Sequence, residues 1–121
     1  MSGFSLQAVF GANAIQDGST ITLWKQDLTD NAGLTFAEEI DGEAVLAAVV
    51  IQAAALGLDT THRDGDDDEI DPNGDQQVAI NPPATGVVPR VDGEGNVTFF
   101  KRDSIAIDFD VSLSNFNAND Y

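Results

Sequence analysis

Cysteine is absent from this chain of 121 residues, which removes disulfides, thiolate metal sites and cysteine nucleophiles. Positive charge is nearly absent too. The five basic residues, Lys25, Arg63, Arg90, Lys101 and Arg102, form no tract longer than a pair, against 21 acids and a net charge of −16. A surface of that sign repels phosphate backbones and anionic membranes, so no nucleic acid and no membrane is expected among the partners. There is one histidine, His62, too little imidazole for a transition-metal centre. The longest apolar stretch, "AVLAAVVIQAAALGL", runs 15 residues with a glutamine inside, short of the ~20 that a spanning helix needs. The opening "MSGFSLQAVFG" lacks a basic region followed by a long apolar run, so no secretory signal is expected. No Ser-His-Asp ordering, phosphate loop or dinucleotide fingerprint is present. Asp108 and Asp110 fall on one strand face, about 7 Å apart, a spacing that an outward polar face explains without catalysis. The expectation is a protein that is not an enzyme.

What is present is an ordinary globular composition, 42% hydrophobic, in a length that suits one domain over 1–121. Phe4, Leu6, Ala8 and Phe10 alternate, "QDGS" at 16–19 holds an Asp-Gly turn, and "STITLWKQDL" is rich in β-branched and aromatic residues. This predicts a β-hairpin over 4–26, kinked at Gly11. Thr35 and Glu38 have capping-box spacing, Asp41 offers a second N-cap, and the chain from Glu43 to Gly57 is almost wholly apolar. Gly57 suits the left-handed position past a helix end, with Leu58 as its apolar contact. A helix apolar nearly all round is expected to be buried on most sides, either on a sheet or with its second face against another subunit. Further on, "QQVAINPP" predicts a short strand ended by Pro82 and Pro83, and Pro89 confines "GVVPRV" to an edge. "DGEGN" at 92–96 is a hairpin connection, and "VTFFK" a strand. In "SIAIDFDVSL", Ile105, Ile107, Phe109, Val111 and Leu113 alternate with polar or small residues, as in a strand with its apolar side buried and its acidic side out. The polar tail 114–121 carries Phe116 and Tyr121, either frayed or docked. The fold class expected is α+β: a mainly antiparallel sheet of four to six strands with one central apolar helix.

The acidic loop 59–75, "DTTHRDGDDDEIDPNGD", holds eight acids in seventeen residues. Asp64, Asp66 and Asp68 alternate as hard-cation ligands do, and Asp71, Asn73 and Asp75 repeat the pattern. In neither register does a glycine stand at the sixth position or a glutamate at the twelfth, so it is not an EF-hand. Two readings stand: a solvated connection, or a site for one Ca²⁺, the only cofactor considered. Two functions follow. The first is a non-catalytic structural or assembly protein, a repeated subunit of a larger complex such as a virion decoration or tail component, with a homo-oligomer or other assembly subunits as partners. The alternative is a calcium-dependent binding module that uses loop 59–75 for a carbohydrate or protein partner. Charge alone adds an acidic mimic that binds a basic protein.

Overall fold

The computed structural model describes residues 4–59, 77–110 and 118–120. It is mixed α and β, with small antiparallel ladders and a few helices. The N-terminal segment departs from expectation. Ser5 caps a short helix, α1 (Leu6–Phe10), its hydroxyl accepting the Ala8 N–H at 3.1 Å. The five residues of α1 make little more than one helical turn, and the Ser5 cap favours that turn over the extended form.

The expected hairpin survives only at its turn. β1 (Ile15–Gln16) pairs with β2 (Ile21–Thr22), and the Asp17 carboxylate accepts the backbone N–H groups of Ser19 and Thr20 at 2.7 and 2.8 Å. "KQDLTDNA" is then helical, as α2 (Lys25–Ala32), closed by Gly33 at φ 73°. Lys25 Nζ donates to the Ala37 and Glu38 carbonyls, which fastens the following coil to α2. Thr35 and Glu38 lie in that coil and cap no helix.

α3 (Gly42–Ala55) starts after Asp41, the second of the two expected caps, although the Asp41 side chain makes no capping hydrogen bond. Its end is the expected one. The N–H of Leu58 reaches the Ala53 carbonyl at 2.9 Å and that of Gly57 reaches Ala54 at 3.2 Å, with Gly57 at φ 120°.

The remaining strands form a ribbon of two successive antiparallel ladders. β3 (Val78–Ile80) pairs with β6 (Ile107–Phe109), and β4 (Ala84–Val91) with β5 (Val97–Ser104), all antiparallel. Between the two ladders, residues 81–83 oppose 105–106, one residue more on the proline side. This bulge, at Pro82 and Pro83, separates the two ladders. Among the described residues the strands therefore make three separate two-stranded ladders, not a single sheet of four to six strands. A Leu58–Ile80 backbone bond and an Asp59–Ile80 bridge tie β3 to the end of α3.

The core is thin. Among the described residues the buried apolar side chains are Ala14, Leu28, Ala48, Ala53, Ala79 and Ile80. They sit where α1, α2 and β3 meet one side of α3. Two polar groups are buried with them. Asp27 accepts both the backbone and the side-chain N–H of Asn13, and Gln52 Oε1 accepts Asn31 Nδ2 at 2.9 Å while its own Nε2 has no partner.

Candidate interaction surface

The residues proposed from the sequence as metal ligands, Asp64, Asp66, Asp68, Asp71, Asn73 and Asp75, lie outside the described residues, as does His62. Among the described residues no group of three or more His, Cys, Asp or Glu side chains is placed to hold a metal ion. Nor, among them, is any helix long and apolar enough to cross a membrane.

What the described residues do bring together is apolar surface. α3 is not buried on most sides: only Ala48, Gln52 and Ala53 of its fourteen residues are buried, and Leu46 and Ile51 are 67% and 47% exposed. The side that α1 and α2 leave free faces the base of the ribbon across an open groove. Leu46, Val50 and Ile51 form one wall, Ile105 and Ile107 the other, and Glu43 and Asp103 stand at its rim. The cavity of about 480 Å³ there continues into one of about 350 Å³ beneath Pro82 and Pro83, with Val50, Ile51 and Ile105 common to both.

This corrects the reading of the last strand. Ile105, Ile107 and Phe109 were expected to be its buried side, yet they are 39–43% exposed. Asp108, expected outside, is half-buried and receives Asn81 Nδ2 at 3.2 Å.

The second surface is the β4–β5 hairpin, which projects as an arm. Every residue of β5 and all of β4 except Val88 are exposed. Eight paired positions at ~3.3 Å each make it roughly 25 Å long. The cross-strand register sorts its side chains. One face carries Val88, Arg90, Phe100 and Arg102, with the Arg90 guanidinium 4.8 Å from the Phe100 ring centre. On the other face the half near the body is polar, where Thr85 donates to Asp103 at 2.6 Å and Lys101 pairs with Asp103 at 3.2 Å. The Thr85 hydroxyl and then the Lys101 ammonium hold the Asp103 carboxyl below its ordinary pKa. The half near the tip is bare: Pro89, Val91, Val97 and Phe99 sit side by side, and Val87, opposite Lys101, borders them, with Val87 and Phe99 at 72% and 70% exposure.

The tip is ordered by its own sequence. Asp92 accepts the backbone N–H groups of Asn96 and Glu94, which lower its pKa, and Gly95 takes φ 87° to close the turn. The arm also concentrates charge. Residues 84–104 hold three of the five bases and three acids, so the arm is neutral and the rest of the chain carries the whole −16.

Sequence reasoning placed the strands of this arm but not its isolation. A signal was available. Val87-Val88 and Phe99-Phe100 put large apolar groups on both faces at once, which a strand with one solvated face does not do.

No protein-family model, curated protein or solved structure matches this chain. The surface is therefore read from its own chemistry.

Proposed function

We propose that this protein is a non-catalytic assembly subunit, whose apolar surfaces are covered by neighbouring subunits of a larger complex. One observation carries the reading: the imbalance between core and surface. Fourteen large apolar side chains are exposed among the described residues, while of the large ones only Leu28 and Ile80 are buried. A 121-residue chain is long enough to build an ordinary core of its own. Scattered exposed apolar residues need no explanation, but eight of these gather into two patches, Leu46, Ile51, Ile105 and Ile107 in the groove and Val87, Val91, Val97 and Phe99 on one arm face, and contiguous patches mark interaction surfaces.

The test is solution mass by light scattering after size exclusion, in EDTA and in millimolar calcium, at physiological salt. A multimer in both arms is expected. A monomer in both, up to millimolar protein, overturns self-assembly. A mass that rises only with calcium would also overturn this reading and move the function to the acidic loop 59–75.

A further inference from the structure

The arm and the groove differ in a way that identifies their partner. The bare arm face is apolar toward the tip, with Lys101 at its inner end and Arg90 and Arg102 on the opposite face, and the arm is neutral overall. The groove is apolar and concave, with Glu43 and the arm's own Asp103 in its lining, and the sequence outside the arm carries all of the net negative charge. Two bodies of this charge repel at close range. The neutral arm is the part of the chain that can approach another copy without that repulsion.

The arm does not fill its own groove. Asp103 belongs both to the groove rim and to β5, so the arm springs from the groove's edge and runs outward, exposed on both faces. Val87, Val91, Val97 and Phe99 lie along the ladder beyond Asp103 and are all exposed, so the groove of the single chain does not hold them.

We infer that the arm of one copy seats its Val87, Pro89, Val91, Val97 and Phe99 face in the α3 groove of a second copy, against Leu46, Val50, Ile51, Ile105 and Ile107. This rests on the assembly reading above and names its partner and contact. Donor and acceptor surfaces are different, so the contact is head-to-tail. It closes either by reciprocal exchange in a two-fold dimer or by propagation around a ring. Phe99, aromatic, exposed and central to the arm face, is the expected hot spot.

The absence of cysteine makes the test direct. Single variants Phe99→Cys and Leu46→Cys are prepared separately, mixed in equal amounts and oxidised mildly at physiological salt. A disulfide requires Cα atoms within about 7 Å, so a seated arm gives a mixed dimer on a non-reducing gel in excess of either homodimer. In parallel, Phe99→Asp should weaken association by on the order of thirtyfold or more in light scattering, with an unchanged circular dichroism spectrum because Phe99 is exposed in the single chain. If the wild type is multimeric, yet the mixed disulfide does not exceed the homodimers and Phe99→Asp leaves the mass unchanged, the arm-in-groove contact is wrong and the assembly reading survives. A monomeric wild type removes both.

Discussion

Arg90 lies over the ring of Phe100, its guanidinium carbon 4.8 Å from the ring centre, across the two strands of the arm. The two residues share one face, so Arg90 covers the Phe100 ring, whereas Phe99, on the opposite face, is 70% exposed. The pair gives the arm one dressed side and one bare side.

That relationship predicts the response to Arg90→Ala. An exposed cation–π contact is worth roughly 0.5–1 kcal/mol, and the ladder around Val88 and Phe100 should open more often by that amount. Amide exchange of β4 and β5 reads it directly, and Arg90→Lys should recover part of the protection. Unchanged exchange in Arg90→Ala would show that the ring contact holds nothing.

Asp27 ties the first loop to α2. It is 6% exposed, and its two carboxylate oxygens accept the Asn13 backbone N–H at 3.0 Å and Nδ2 at 2.9 Å. Asp27→Ala leaves both donors without their acceptor and should cost about 1–3 kcal/mol. Asp27→Asn keeps one carbonyl oxygen for the backbone donor and should cost less. Urea unfolding of the three proteins tests the order, and equal midpoints would refute it.

These particulars show what could be read from the chain. Features set by local chemistry were legible: the Asp17-Gly18 turn, the 92–96 connection, the start of α3 after Asp41 and its end at Gly57. Features set by what covers a surface were not. The alternation of Ile105, Ile107 and Phe109 reports which side chains share a face, and says nothing of whether that face meets a core. The apolar run of α3 likewise left open what lies on its second side, and the groove is where that question now sits. Gln52, the one polar residue in the run, is fully buried. The acidic loop drew attention by composition, and its residues 60–75 lie outside those described.

Two glycines with positive φ should respond differently to alanine. Gly33, at φ 73° and ψ 17°, has nothing within 4 Å of an added Cβ, so Gly33→Ala carries only the left-handed penalty of about 1–2 kcal/mol. Gly11, at φ 106° and ψ 152°, is in a region almost confined to glycine, and an added Cβ would lie 2.6 Å from Asp27 Cβ. Gly11→Ala should cost about 3 kcal/mol or more. Thermal or urea unfolding decides it, and a Gly11→Ala variant as stable as Gly33→Ala would contradict the packing of that loop on α2.

The arm tip should loosen in acid. Backbone N–H groups of Asn96 and Glu94 favour the charged form of Asp92 and lower its pKa in the folded protein, and those of Ser19 and Thr20 do the same for Asp17. An aspartate in the unfolded chain titrates near 3.9. The folded value lies below the unfolded one, so the contribution of each turn is fully present above that pH and is lost as pH falls through the folded value. Carboxyl carbon shifts followed by NMR should give Asp92 and Asp17 midpoints below those of ordinary aspartates. The Gly95 amide should shift with Asp92, and Asp92→Asn should abolish that coupling. The same acidification discharges the carboxylates that make the body repulsive, so in the assembled protein it removes one obstacle to contact while disordering the turn that presents the arm. Asp92→Asn separates the two effects, because it alters the turn and leaves the body's charge in place. Midpoints for Asp92 at or above the ordinary aspartate value would refute the turn's part in ordering the tip.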